Sequence, residues 1–287
     1  MNAAGSKRVA ITGASGYVGS ALARRFERDG WTVTGFSRSA AGEVRFRLGE
    51  DVDPDAFRSR RIDALVHTAY DFTPVDWKDI RHVNVVGSQK LLAAAKAGGA
   101  SRMVVLSSIS AFRGCRSLYG RAKLEIEEAA SDAGAAVVRP GLVFVDSGEQ
   151  AGGMYGSLLR SARASLVPMI DGGAHCQYLI HVDDLYTLIS GLCSGRIAAP
   201  DHPFTAASPR CWTMRELVGA LALKQGARPR FVSVPWRVVW LGLKAAETAR
   251  LRRGYRSDSV LSLVHQDPRP DFSTLHKLGV TPREFSA

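Results

Sequence analysis

The stretch Lys7–Ser20, KRVAITGASGYVGS, constrains the fold more than any other, because it runs a short apolar segment into glycines at Gly13, Gly16 and Gly19. Val9, Ala10 and Ile11 read as a buried strand and Tyr17 to Phe26 as the helix after it, so the glycines occupy the turn between them. Such a turn needs a positive φ, and a phosphate can lie against its backbone N–H groups only where no Cβ intervenes. The third glycine lets helix and strand pack closely. A pyrophosphate-bearing nucleotide is the ligand this arrangement predicts.

The segments that follow repeat the alternation. Trp31 to Phe36 is a second strand, ending in Ser37, Arg38 and Ser39, and no acid stands at Phe36 to Ser39. At this place an acid accepts from a free ribose 2′-hydroxyl, whereas arginine and serine suit a 2′-phosphate, which favours NADP over NAD. Val44 to Leu48 reads as a third, short strand, and Ile62 to Ala69 as one buried on both faces. Asp79 to Ala97 has helical spacing and stops at Gly98 and Gly99; Met103 to Leu106 is another buried strand, ending in Ser107 and Ser108. This pattern predicts an α/β fold, a Rossmann-type doubly wound parallel sheet with right-handed crossovers. Its ligands bind at the carboxyl ends of the strands, where Gly13, Arg38, Ala69 and Ser107 fall.

The helix Leu118 to Ser131 carries Tyr119 and Lys123 four positions apart, hence on one face. A tyrosine near pKa 10 is a poor base, and a lysine one turn away brings it towards operating pH by stabilising the phenolate.

Composition excludes several classes. In the 287 residues no run approaches the roughly 18 apolar residues of a membrane span, and Met1 to Lys7 is too short and polar for a signal peptide, so the expected compartment is the cytoplasm. Cys115, Cys176, Cys193 and Cys211 lie far apart with no Cys-x-x-Cys pair and no histidine cluster at ligand spacing. Reduced thiols are expected, with neither a disulfide framework nor a metal site. The net charge of +11 is spread along the chain, the one dense cluster being Arg250, Arg252, Arg253 and Arg256. That distribution suits phosphate-bearing small molecules rather than nucleic acid.

The motifs TGASGYVGS (12–20), IDALVHTAY (62–70), NVVGSQKLL (84–92), VVLSS (104–108), YGRAK (119–123), VVRPG (137–141) and YLIHVDDL (178–185) occur in an order that resembles the extended short-chain dehydrogenase/reductases, the NAD(P)-dependent epimerase/dehydratase family. The resemblance implies that Tyr119 is the acid/base, that Lys123 also bonds the nicotinamide ribose, and that a serine orients the substrate oxygen. Ser108 is preferred over Ser107, with Ser110 third, although only eleven positions separate Ser108 from Tyr119. The cofactor residues implied are Gly13, Ser15, Gly16, Tyr17, Val18, Gly19, Ser37, Arg38, Ala69, Tyr70, Ser107, Tyr119, Lys123 and Pro140. Asn84 stands where the family has an asparagine linked to the site, with an amide that merely ties two segments as the alternative reading. His67 reads as structural, and Asp183 or Asp184 as the cap of a helix Asp184 to Leu192.

After Val145 the pattern changes. Asp146 to Gly156 and Pro168 to Gln177 read as polar, glycine-rich excursions with a helix, Leu158 to Leu166, between them. The expected division is a dinucleotide-binding domain over 1–145, its sheet completed by 177–206, and a substrate cap from 146–176 and 207–287. Val234 to Arg253 admits two readings, an interfacial membrane helix or, preferred, an amphipathic helix packed on the cap. No stable membrane insertion is expected. A homodimer through the helices Lys78 to Ala97 and Leu118 to Ser131 is implied by resemblance alone.

Arg139 is followed by Pro140, Gly141 and Leu142, without the asparagine that sugar-nucleotide members carry to hold the diphosphate. Ser108, Gln177 and Arg210 are the candidate contacts to a small-molecule substrate. The leading expectation is hydride transfer at a secondary alcohol or ketone, including that of a nucleotide sugar. The alternatives are an NADPH-dependent carbonyl reductase or hydroxysteroid-dehydrogenase-like enzyme on a more apolar substrate, and a non-enzymatic dinucleotide-responsive protein.

Overall fold

The computed structural model describes residues 7–38, 44–146, 149–249 and 256–286. Six strands follow in chain order: β1 (Arg8–Thr12), β2 (Thr32–Ser37), β3 (Val44–Arg45), β4 (Ala64–His67), β5 (Arg102–Leu106) and β6 (Ala136–Pro140). Four come next from the second half, β7 (Leu142–Phe144), β8 (Leu166–Ile170), β9 (Cys176–Gln177) and β10 (Leu179–His181). The last three are β11 (Phe204–Ala206), β12 (Trp212–Thr213) and β13 (Arg230–Val234).

The central sheet is parallel, in the order β11-β6-β5-β4-β1-β2-β3. Chain order reverses beside β1, whose neighbours are β2 and β4, so a crevice opens at the carboxyl ends of β1 and β4. Both faces are covered. Val9, Ile11, Val66 and Val104 pack with Leu22, Phe26, Leu185 and Ile189 of the helices Tyr17–Arg28 and Val182–Ser194. Ala10, Leu65, Val105 and Val137, one position out of phase, pack on the other face with Leu91, Leu92, Ile126 and Ala130. Period-two alternation into two cores is what makes these strands read as unbroken apolar runs.

Several expectations need correction. The helix after β4 starts earlier, at Trp77, where Asp76 Oδ1 accepts from Asp79 N at 2.9 Å, and it contains a π turn, Arg81–Val86, before Gly87–Ala97. The helix expected over Leu158 to Leu166 is Gly153–Ser161. Leu166–Ile170 is instead a strand that pairs in parallel with β13, burying Val167 and Met169 while Leu166 and Pro168 face outward. Of residues 177–206 only β11 joins the central sheet. The chain turns out of β6 at Gly141, where a Cβ would lie 2.1 Å from the Tyr178 carbonyl, and runs on as β7, which pairs with β10.

The cysteines also differ from expectation. β9 and β12 pair antiparallel, which brings Cys176 and Cys211, 35 residues apart, into a disulfide with Cα atoms 5.2 Å apart. Cys115 and Cys193 are free thiols, and burial pushes Cys193 up to about 12. At the helix Val182–Ser194 the cap is His181, whose Nδ1 accepts from Asp183 N at 3.2 Å. Asp183 and Asp184 pair instead with Arg25 (2.5 Å) and Arg283 (3.1 Å), ion pairs that the sequence does not signal.

Further helices are Asp55–Arg58, Leu118–Ala133, Met214–Lys224, Trp236–Thr248, Ser257–Val264 and Ser273–Lys277. Among the described residues no helix is long and apolar enough to cross a membrane. Of the arginine cluster near the C-terminus, only Arg256 lies within the described residues.

Candidate active site

The glycine turn closes as its sequence requires. Gly13 has φ +68°, and its N–H donates to the Phe36 carbonyl at 3.1 Å. A Cβ on Gly19 would stand 2.2 Å from the Gly13 carbonyl oxygen and 2.9 Å from Thr68 Oγ1, so only glycine lets this helix approach β1. The helix Tyr17–Arg28 starts at Gly16 with no side chain capping it and no acid in its first turn. Among the described residues no side chain caps its first N–H groups, and Ser15 and Gly16 are exposed beside them. An uncapped helix start behind an open glycine turn fits the pyrophosphate of a dinucleotide. Val18 is half-buried in the same turn, and Tyr17 points away, its hydroxyl donating to the Val143 carbonyl at 3.4 Å beneath Gly152. At the end of β2, Ser37 is buried and Arg38 exposed.

A buried relay ties the crevice together. Ser88 Oγ donates to the Asn84 carbonyl at 2.6 Å, so it accepts from His67 Nε2 at 2.8 Å, leaving His67 Nδ1 to accept from Thr12 Oγ1 at 2.7 Å. Burial, and then the charge of Lys123, push His67 down to about 3, which fixes it as a neutral structural imidazole. Thr12 Oγ1 accepts from the N–H groups of Thr68 (3.2 Å) and Ala69 (3.3 Å). Asn84, fully buried in the π turn, accepts from Asp71 N at 2.7 Å and donates to the Asp71 carbonyl at 3.0 Å. It thus latches the loop that carries Ala69, Tyr70 and Phe72, as an amide that ties two segments would.

Tyr119 stands in the first turn of the helix Leu118–Ala133, and its position is set from two directions. Ser117 Oγ accepts from Gly120 N at 3.0 Å, while Asp258 accepts from Leu118 N at 2.7 Å and Tyr119 N at 3.0 Å. Two residues before Asp258, the Arg256 guanidinium donates to the carbonyls of Phe72 and Pro74. The start of the helix Ser257–Val264 therefore clasps both sides of the tyrosine. Nothing in the sequence signals this clasp, because 140 positions separate Leu118 from Asp258.

The side chains converge. Ser108 stands close enough to the Tyr119 hydroxyl to pull the phenol down against its burial, and its Oγ accepts from Ser110 N at 3.1 Å. Ser107 instead donates to the Glu127 carboxylate, so only Ser108 of the two strand-end serines meets the tyrosine. The short connection after Ser108 suffices to present both groups. Lys123, buried one turn further on, donates to the Leu106 carbonyl at 2.8 Å and lies 5.1 Å from the Tyr70 ring and 5.9 Å from the Tyr119 ring. Tyr70 meets Tyr119 edge to face at 4.9 Å, and Phe72, 62% exposed, stacks on it at 5.6 Å.

The electrostatics differ from the expected lowering of the phenol. Burial raises Tyr119, with the Ser108 hydrogen bond pulling the other way, and burial pushes Lys123 down to about 8 against the opposing charge of Glu127. The Lys123 ammonium donates to the Leu106 carbonyl rather than to the phenol, and burial sets the direction of the Tyr119 shift. Glu127, a further turn along the helix, is buried and accepts from Arg139 Nε (2.8 Å) and Nη2 (2.5 Å). Sequence reasoning passed over it, although the i, i+4 progression Tyr119, Lys123, Glu127 marks one face.

Gln177 and Ser110 line a narrow cavity of about 40 Å³ with Ile109, Leu142 and Tyr178, closed from the C-terminal side by Gln266. Gln177 Nε2 donates to the Cys176 carbonyl at 2.7 Å. Arg210 does not line this cavity; its guanidinium lies 4.1 Å from the Trp212 ring and 3.7 Å from Glu284. Pro140, at the end of β6, accepts from Ile109 N at 3.3 Å.

Fold and site together define an extended short-chain dehydrogenase/reductase, an NAD(P)-dependent enzyme. The chain belongs to the NAD dependent epimerase/dehydratase family, whose model matches residues 9–193. It is 27% identical over 244 residues to the ceramide reductase of Caulobacter vibrioides, covering 79% of this chain and 73% of that protein. Among solved structures it is similar to MoeE5 in complex with UDP-glucuronic acid and NAD, at 20% identity and TM-score 0.72 over 97% of this chain and 94% of that one. RMD from Pseudomonas aeruginosa complexed with NADPH is similar at 19% identity and TM-score 0.68, over 97% and 94%. At these identities the structural likeness concerns the fold.

Proposed function

We propose that the chain is an NADPH-dependent reductase of apolar ketones. The observation that carries this reading is the Ser108–Tyr119–Lys123 group beside the glycine turn, with Tyr119 raised by burial. A phenol held above its ordinary value keeps its proton at neutral pH, which suits an acid rather than a base. Bound NADPH would supply the hydride. Tyr119 gives its proton to the substrate oxygen, Ser108 donates to the same oxygen, and the Lys123 ammonium stabilises the phenolate left behind.

The residues that would hold the cofactor are Gly13, Ser15, Gly16, Val18 and Gly19 at the pyrophosphate, Ala69, Tyr70, Ser107 and Pro140 along the crevice, and Lys123 at the ribose. Ser37 and Arg38 support NADP over NAD. Against its burial, hydrogen bonds from Thr73 and then the charges of Arg38 and Arg47 hold the Asp71 carboxyl below its usual range, so two cations stand near the loop after β4, where a 2′-phosphate would lie. Tyr17 supports the turn through its packing rather than through a ligand contact.

An apolar substrate is supported by Leu142 where a diphosphate-binding asparagine would stand, by the Tyr70–Phe72 face over Tyr119, and by the ceramide named for one relative. Residues 146–176 and 207–287 serve as the cap, and the helices 77–97 and 118–133 as a homodimer surface, which light scattering tests.

The test is a panel of long-chain ketones and UDP-sugars with NADPH or NADH. Steady NADPH oxidation on the ketones supports the reading. Cofactor retained through gel filtration, with UDP-sugar isomerised and no net redox, would replace it with epimerisation.

A further inference from the structure

The helix Trp236–Thr248 buries one of its 13 residues, Ala246. Trp236, Val239, Trp240, Leu243 and Glu247 are half-buried and fall at helical spacing on the same side as Ala246. The opposite side carries Arg237, Val238, Leu241, Lys244, Ala245 and Thr248, all exposed. Val238 is 58% and Leu241 59% exposed, side by side on that face.

Arg237 and Lys244 border the aliphatic strip. The one acid of the helix, Glu247, is turned inward, accepting from Ser257 N and Oγ at 2.8 Å each, and its carboxylate also lies 3.9 Å from the Lys244 ammonium, which is itself 56% exposed. Pro235 leads into the helix from β13, which pairs with β8. Leu166 is 57% and Val232 42% exposed, and Arg230 stands opposite Leu166 in register. In the sequence Arg250, Arg252 and Arg253 follow this helix, in a chain of net charge +11.

We infer that the outward face of this helix is a docking surface for an anionic lipid bilayer. An aliphatic strip bordered by cations is what a helix lying in the plane of such a membrane presents, its apolar side chains among the acyl chains and its cations among the phosphates. A helix of 13 residues lies on the surface and does not span it. The face sits on the segment that leads, through Glu247 and Ser257, to the Asp258 clasp on Tyr119. Docking would thus bring the reaction site to a membrane-resident substrate. The inference rests on the geometry of this face, and its test needs no turnover.

The full chain is sedimented with vesicles of phosphatidylcholine, or of phosphatidylcholine with one-third phosphatidylglycerol, at low and high salt. The expected result is co-sedimentation with the anionic vesicles that weakens as salt rises. Val238→Glu with Leu241→Glu should weaken it by at least about tenfold. Arg237→Gln with Lys244→Gln should weaken it about tenfold on anionic vesicles alone. NADPH binding, unchanged in both variants, reports that they fold. Wild-type protein left in the supernatant with the anionic vesicles would overturn the inference, as would undiminished binding of the Val238→Glu/Leu241→Glu variant. Loss of a dimer in that variant, without vesicle binding by the wild type, would make the face a contact between copies instead. If ketones are reduced but no vesicle is bound, the docking inference alone falls; if vesicles are bound and no ketone is reduced, the reductase reading alone falls.

Discussion

Glu127 supplies both structure and electrostatics to the site, which makes its removal a sharp test. Its carboxylate accepts from Ser107 Oγ and from Arg139 Nε and Nη2, with side chains 4% exposed for Glu127 and 22% for Arg139. Breaking a buried ion pair by deleting one member costs about 3–5 kcal/mol, chiefly because the surviving charge stays buried. Arg139 retains some solvent, so the lower end applies and Glu127→Leu should cost about 3 kcal/mol. For a chain of this size that is a fall in Tm of roughly 6–12 °C. Arg139→Met alone should behave similarly. The double variant Glu127→Leu/Arg139→Met leaves no orphaned charge and should recover most of the loss, giving a coupling of about 2 kcal/mol or more. Urea unfolding followed by tryptophan fluorescence measures all three. Glu127→Leu should also move the alkaline limb of the activity profile below about 8, since the carboxylate supports the Lys123 proton. A single-variant loss under about 1 kcal/mol, or a double variant as unstable as the sum of the singles, would refute the reasoning.

Further consequences can be measured independently. Lys123 is pushed down to about 8 from 10.5 by burial, so between these values the unfolded chain binds more protons and the cost of burying this lysine shrinks as pH rises. Lys123→Met should therefore gain more stability over wild type at pH 7 than at about pH 9.5; a gain that ignores pH in thermal melts would contradict the placement. Asp258→Asn weakens two hydrogen bonds at the start of the Tyr119 helix, and should cost about 1 kcal/mol and lower kcat several-fold while leaving NADPH affinity unchanged. Unchanged kcat would show that the clasp does not position the tyrosine. Arg38→Ala should weaken NADPH about tenfold and NADH little, and equal effects in binding titrations would remove the basis for NADP.

The parts of the fold that were legible are those whose cause is local. Gly13 and Gly19 announce the turn because a positive φ and a 2.2 Å approach leave no room for a side chain, and Val9 to Ile11 announce a strand buried on both faces. Tyr119 and Lys123 share a face by helical spacing alone. What stayed hidden depends on distant pairing: Cys176 and Cys211 meet only because β9 and β12 do, and Asp258 reaches Tyr119 only once the C-terminal helices are docked. Leu166–Ile170 was hidden differently, since Pro168 removes a ladder donor and reads as a break, yet it is accommodated on the outward side of a two-stranded ladder.

The most direct measurement is the turnover of Tyr119→Phe with NADPH and a ketone that the wild type reduces, alongside NADPH binding. The substitution removes one hydroxyl and keeps the ring contacts with Tyr70 and Phe72. The predicted result is NADPH affinity within about twofold of wild type and kcat/KM lowered by roughly 10²–10⁴. A kcat/KM within a few-fold of wild type would contradict the account, because the proton would then reach the substrate oxygen without Tyr119.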